Sequence, residues 1–522
     1  MTLNDDIAPA PASVGLSGTA AQLPVSPVLV PTLVAVTALV SIVSSLGAPL
    51  IPTIAQADHV SLGTAQWVLT AALLTGALAT PTLGRLADGA RQRDLILIVL
   101  VGVLTGCVLA ALSNSFDVVV AGRALQGFGL GLFPVTMAIA RRHLPPAKAG
   151  RPIATLSITV AIGGGLGYPI TALIVQAFGV HAAYWFGAII VGLAIPVAAI
   201  VLPRRTPMSI RPFDRLGATM LSLVVLGIMV VLSEGGVWGW TSPLALGIGA
   251  GCAVLLAVWI PHELRRRDPL VDLRQVRNRS VLTADISGFL LCVSMYLFVP
   301  VAFEFVQIPR STGYGFGASI TISGLVFVPL SAGTFAASRG LAFLEGRFGS
   351  RGIIPLGALI IALSEAVFAV EHSSLWQTFV AAGGVGIGVG LTFAAMPGFI
   401  VRAVPRSDTG SAMGFYQVLR NIGLAAGSAL GASVLTGATL KGHTFPAESG
   451  FRTTLFIAAG MCVATALVSY VLPGRVSGRG VESSDGGLPA AAPSVNEEAE
   501  FANSVMMLAE IQPASDRRAA AE

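Results

Sequence analysis

Residues Gly84–Arg93 read G-R-L-A-D-G-A-R-Q-R, a short charged stretch between two long apolar runs at roughly 64–86 and 94–112. Each run supplies the ~20 apolar residues that an α-helix needs to cross a bilayer. The stretch is therefore a tight turn at one membrane face. Small Gly84 and Gly89 let helix ends approach closely. Asp88 is an acid among Arg85, Arg91 and Arg93, able to pair locally or to hold the end of another helix. Two readings stay open for Gly84, Asp88, Arg91 and Arg93: a conformational latch, or a plain anchor for a cytoplasmic loop.

Composition narrows the class. The 522 residues are 54% hydrophobic and 11% charged, with a mean hydropathy of +0.81. Soluble globular chains carry about 25% charged residues. This is an all-α polytopic membrane protein, with the lipid bilayer as its first partner. The net charge of +5 is weak evidence for nucleic-acid binding, because the basic residues lie in short loops between spans, and no nucleic-acid partner is expected. Cys107, Cys252, Cys292 and Cys462 lie in apolar runs without metal-type or C-x-x-C spacing, and read as small buried residues. The first 27 residues hold Asp5 and Asp6 but no Lys or Arg, so they lack the basic start of a signal peptide.

By the length criterion the apolar runs make fourteen spans. The first six lie at about 28–51, 65–86, 94–112, 117–140, 152–178 and 182–202. Two more follow at about 216–234 and 242–260, and the last six at about 281–303, 317–338, 353–371, 375–400, 411–437 and 453–472. The expected organisation is a tail (1–27), a six-helix bundle (28–202), two inserted helices with their loops (203–280), a second six-helix bundle (281–472) and a polar disordered tail (473–522).

Charge sets the orientation. Loops after even-numbered spans carry Arg91 and Arg93, then Arg141, Arg142, Lys148 and Arg151, then Arg204, Arg205 and Arg211. The series continues through Arg265, Arg266, Arg267, Arg274, Arg277 and Arg279 to Arg347, Arg351, Arg402 and Arg406. Loops after odd-numbered spans offer Arg310, Lys441 and Arg452 alone. The positive-inside rule then puts both termini in the cytoplasm. Between spans 10 and 11, Gly340–Arg351 (G-L-A-F-L-E-G-R-F-G-S-R) echoes the Gly84 turn at the corresponding place of the second block. Two such halves with a substrate site between them are a common transporter plan.

Several motifs then match a known pattern. Gly84, Leu86, Asp88 and Arg93 fit G-x-L-x-D-x-x-G-[RK]-[RK], departing at Arg91, where the second glycine would stand. Gln66, Trp67, Val68 and Thr70 match a second-helix pattern, and Arg123, Gln126, Gly127 and Gly129 match R-x-x-Q-G-x-G. Over roughly residues 28–472 the chain resembles the major facilitator superfamily, in its fourteen-helix drug:proton antiporter branch. That resemblance implies two six-helix bundles plus two inserted helices. It also implies a plasma-membrane exporter of lipophilic or cationic drugs or metabolites, working as a monomer by proton antiport and rocking alternating access, with small molecules and protons as partners. Two departures matter. Val43 stands where the branch usually has a helix-1 acid, and the fifth-helix signature G-x-x-x-G-P-x-x-G-G keeps Gly164 and Pro169 but has Tyr168 before the proline. An exporter of an endogenous lipid or secondary metabolite, or a uniporter without proton coupling, therefore stays open.

Intramembrane charges are costly and face the interior or a water-filled path. Arg123, which the resemblance implicates in proton transfer, is one such charge; its other reading is a brace bonding backbone carbonyls. Arg420 in span 13 is another. With no acid in helix 1, proton coupling falls to the second half. Asp285 and Glu304 on span 9, the counterpart of span 1, rank above Glu365 on the more peripheral span 11. The alternatives are that Asp285 caps its helix and that Glu304 is a solvated mouth residue. Gly164, Gly167 and Pro169 mark a packing seam or a helix bend. Trp67, Gln126, Phe133, Tyr168, Tyr296, Tyr416 and Arg420 are the substrate-cavity candidates, with Phe298 and Phe393 beside them; aromatic faces suit lipophilic compounds. No metal, cofactor or catalytic constellation is expected. The absence of G-x-x-x-x-G-K-[ST] argues against ATP as the energy source, and a membrane enzyme or receptor is the remote alternative.

Overall fold

A computed structural model describes residues 27–47, 54, 60, 65, 67–145, 149–204, 213–439 and 445–472. Both tails, Gln66, Lys148, Arg205, Arg211 and Lys441 lie outside the described residues. We label the spanning helices α1 (Leu29–Ser45), α2 (Trp67–Ala87), α3 (Gln92–Leu112), α4 (Phe116–His143), α5 (Gly150–Phe178), α6 (Val180–Val201) and α7 (Arg215–Trp238). The series continues with α8 (Pro243–Arg265), α9 (Arg279–Gln307), α10 (Thr321–Leu341), α11 (Arg351–Val370), α12 (Leu375–Ala403), α13 (Thr409–Gly437) and α14 (Glu448–Val471). Thirteen of these are long and apolar enough to cross a membrane, and α1, at 17 residues, falls just short.

Local chemistry sets the helix ends. Gly179, at φ 86°, turns the chain from α5 into α6 within one residue. Ser242 caps α8 by accepting from the Ala245 N–H at 3.2 Å, with Pro243 at the first helical position. Asn278 caps α9 by accepting from Ser280, and Ser374 closes a capping box with Gln377 on α12. Asp214 caps α7 through the Gly217 N–H at 3.1 Å. Burial raises its carboxyl, but that bond, His262 at 2.8 Å and Arg266 hold it below the usual aspartate range. These contacts tie the inserted pair α7–α8 together.

In lipid there is little hydrophobic gain between helices, so close approach of small residues carries the packing. A Cβ on Gly163 would sit 2.8 Å from Ser41, and one on Gly167 2.6 Å from Ser45, so α5 lies directly on α1. Across the halves, Gly84 of α2 faces Gly410 and Gly414 of α13, while Gly165 and Pro169 of α5 approach Ser331 and Gly324 of α10. Two interhalf seams result, α2–α13 and α5–α10.

Three expectations change. The α1 helix ends at Ser45 rather than near 51. A 3-10 turn, Phe128–Gly131, interrupts α4. The turn expected at Gly340–Arg351 narrows to one residue: two helices meet at a kink at Gly349, φ 70°, with helical backbone on both sides of it. Gly340, Gly346 and Gly349 face open space, so the echo of the Gly84 turn does not extend to packing. In α5, the tight glycines are 163, 165 and 167; Gly164 has loose surroundings, and the helix continues through Pro169.

Candidate functional site

The Gly84 turn closes onto the other half. Asp88 is 3% exposed, and its two carboxylate oxygens accept from the backbone N–H groups of Gly410 (2.7 Å) and Ser411 (2.9 Å), in the first turn of α13. Those donors are left without intrahelical partners, at the positive end of the helix dipole. Gly84 permits the approach: a Cβ there would lie 2.5 Å from the Gly410 carbonyl oxygen. Burial pushes the Asp88 carboxyl up from its ordinary 3.8 to about 6, against the opposing pull of the two N–H donors and Arg85.

An arginine makes the complementary contact. Arg141, at the end of α4, donates to the Val404 carbonyl (2.8 Å), the Pro405 carbonyl (3.3 Å) and the Thr409 hydroxyl (2.6 Å). It thus meets the negative end of α12 while Asp88 meets the positive end of α13. Arg142 shapes the turn by donating to the carbonyls of Asp88 (3.1 Å) and Gly89 (3.0 Å). Sequence reading had used Arg141 and Arg142 for orientation alone; the signal was a basic pair one span after the motif. Arg93 does not share these contacts: it donates to the Ala199 carbonyl at the end of α6, inside its own half, and Arg91 is exposed.

Arg123 is fully buried, and each of its three nitrogens donates a hydrogen bond. It donates to the Val43 carbonyl (3.0 Å), the Ser44 carbonyl (2.9 Å), the Val68 carbonyl (2.9 Å) and the Gln126 side chain (2.6 Å). Val43 and Ser44 belong to the last turn of α1, where the Val43 carbonyl also accepts from the Leu46 N–H at 3.2 Å. The guanidinium thus meets the C-terminal end of α1, and Gly47 leaves room for it, since a Cβ there would be 2.8 Å away. The backbone carbonyl of Val43 accepts from Arg123, although the Val43 side chain has no acceptor to offer. A lysine, with one nitrogen for three carbonyls on two helices, strands buried acceptors at about 1–3 kcal/mol each. Arg123→Lys is expected to lower the melting temperature of the purified protein and cut transport about tenfold or more, with the pH profile of transport unmoved; a shifted profile would mark Arg123 as a proton carrier.

The aromatic candidates divide. Tyr168 of α5 and Tyr296 of α9 bring their hydroxyl ends near each other across the two halves. Tyr168 also lies 5.3 Å from the Phe327 ring, which stacks at 6.3 Å on Phe303. Gln126, 1% exposed, keeps an unpartnered Nε2 beside Arg123. By contrast, Phe133 and Phe298 are core residues, Trp67 is half-buried at the first turn of α2, and Tyr416 is sealed against Gly288 with its hydroxyl 3.3 Å from Met396 Sδ.

The three carboxylates also separate. Asp285 is 2% exposed, does not cap α9, and has no hydrogen-bond partner on either oxygen. Glu304 is exposed. Glu365, ranked last from sequence, is completely buried; it accepts from Ser294 Oγ (2.8 Å), which accepts from the Cys462 thiol (3.0 Å), and its Oε2 is unpartnered. Glu365 therefore lies on a buried face of α11.

Comparison with known proteins agrees with this architecture. The family model of the Major Facilitator Superfamily matches residues 33–428 and, in a second match, 284–509. The chain is 28% identical to the tetracenomycin C resistance and export protein of Streptomyces glaucescens, over 80% of this chain and 77% of that one. It is 26% identical to a multidrug resistance protein B homolog of Mycobacterium tuberculosis, over 71% and 69%. Among solved structures, the human organic anion transporter MFSD10 (TETRAN) superposes with a TM-score of 0.60 at 16% identity, covering 84% of this chain and 99% of that one.

Proposed function

This chain belongs to the Major Facilitator Superfamily, and we propose that it exports lipophilic, ring-bearing drugs or secondary metabolites by rocking two halves about the α2–α13 and α5–α10 seams, driven by proton influx. It is a multi-pass membrane transporter of small molecules and not an enzyme. The observation that supports alternating access is the reciprocal latch, Asp88 on the start of α13 and Arg141 on the end of α12. Both contacts are polar, directional and interhalf, so they exist in one arrangement of the halves and are absent in the other.

On this reading the latch closes the cytoplasmic side of a plasma-membrane protein whose termini are cytoplasmic, with residues 28–202 and 281–472 as the moving bundles and 203–280 as the inserted pair. Proton coupling is assigned to Asp285, because its carboxyl is enclosed and unpartnered while Glu304 is exposed. A second reading, uniport without protons, draws on Arg123, which needs no titrating partner. The discriminating experiment is a proteoliposome assay over a panel of dyes and antibiotics, with and without an imposed pH gradient. Accumulation against a concentration gradient that collapses when the pH gradient is removed is expected. Equilibration at the same rate in both conditions would favour the uniporter.

A further inference from the structure

The second buried arginine has surroundings unlike those of Arg123. Arg420 of α13 is 6% exposed, with its guanidinium carbon 4.1 Å from the centre of the Phe393 ring and 5.5 Å from that of Tyr416. One nitrogen donates to Gln417 Oε1 at 3.2 Å, and Gln417 Nε2 donates to Asn421 Oδ1 at 3.2 Å. A further contact is with the Cys292 thiol. Two donors of this chain, Arg420 Nε and Asn421 Nδ2, are buried with no acceptor. Among the described residues no carboxylate lies within ion-pair distance of Arg420.

We propose that Gln417, Arg420 and Asn421, with Phe393 beside them, bind an anionic group carried on a planar ring of the exported molecule, such as a ring carboxylate or phenolate. Buried donors without acceptors are costly, and a site that keeps them keeps them for a ligand that supplies the acceptor. A guanidinium offers the planar fork that suits a carboxylate. The Phe393 face supplies an apolar wall for the ring. Among the described residues no acid pairs with Arg420, which leaves its positive charge uncompensated. The cationic compounds expected from the family resemblance would meet this charge with repulsion.

The inference rests on the exporter reading, so its test separates binding from transport. The purified full-length protein is titrated by fluorescence anisotropy with fluorescein, an anionic ring carboxylate, and with rhodamine 123, its cationic relative; efflux of both dyes is then followed in proteoliposomes. Fluorescein is expected to bind about tenfold or more tightly than rhodamine 123, the weight of one charge-assisted hydrogen bond. Arg420→Gln should erase that preference. The near-isosteric Asn421→Asp, which gives Arg420 an internal carboxylate, should erase it too while keeping the melting temperature. Equal binding of the two dyes, binding of neither, or loss of both together in Asn421→Asp would overturn the anion site. Efflux of rhodamine 123 with no fluorescein preference would leave the exporter standing and this site refuted.

Discussion

Asp88→Asn is expected to reduce transport by roughly 30- to 150-fold at unchanged membrane insertion, the equivalent of about 2–3 kcal/mol in the closing equilibrium. The wild-type carboxylate accepts two backbone N–H bonds, one on each oxygen. Asparagine keeps one oxygen and turns an NH2 group toward the other N–H, a donor against a donor. A protonated Asp88 still has oxygen at both places, so the substitution is harsher than acidification. The pH response has a definite sign. The carboxyl titrates at about 6 in the latched state against an ordinary 3.8 when solvated, so the latched state binds the proton more tightly. Protonation therefore favours latching, fully below about pH 4, and this contribution is lost as pH rises through about 6. Site-specific spin labels flanking the α2–α13 seam should show closure increasing as pH falls from 7 to 4 in the wild type, with a flat response in Asp88→Asn. Full turnover in that variant would reduce the Gly84 turn to an anchor.

The parts of this molecule that were readable in advance are those where bilayer physics leaves few choices. Long apolar runs must be helices because the backbone has no water to bond, so spans 2, 3, 5, 6 and 14 lie close to where their hydropathy puts them. Asp88 was readable because an acid between two spans, beside small glycines, has few uses other than holding another helix. What could not be read was partner choice across long sequence separation. Nothing in the spacing of Arg93 says that it reaches Ala199 and not the latch, nor that Arg141, 53 residues past Asp88, completes it. Arg123 shows the same limit from another side. A buried arginine looks as if it needs an acid, yet the three carbonyls it meets are invisible to a reading of side chains.

Asp285→Asn is expected to abolish substrate-driven proton movement while leaving downhill substrate flux. Asp285 sits two turns into α9, 2% exposed, with both oxygens bare of donors. In such surroundings a carboxyl is stable as the neutral acid; when rocking brings water to it, ionisation becomes affordable and the proton leaves. Alternating access alone thus suffices to carry one proton per cycle, provided that the group is sealed in one state and wetted in the other. Asparagine has nearly the same shape and no proton to give, so the packing of α9 against α13 is preserved and coupling is removed. In liposomes carrying an interior pH dye, added substrate should move protons with the wild type and not with Asp285→Asn, the loss being complete because no second carrier substitutes. Glu365→Gln supplies the comparison. Its buried carboxyl is already engaged by Ser294, an amide keeps that bond, and coupling should persist. If coupling survives Asp285→Asn and fails in Glu365→Gln, the proton travels through the Glu365–Ser294–Cys462 cluster; if it survives both, the Asp285 assignment fails and the uniport reading must be weighed against whatever gradient dependence remains.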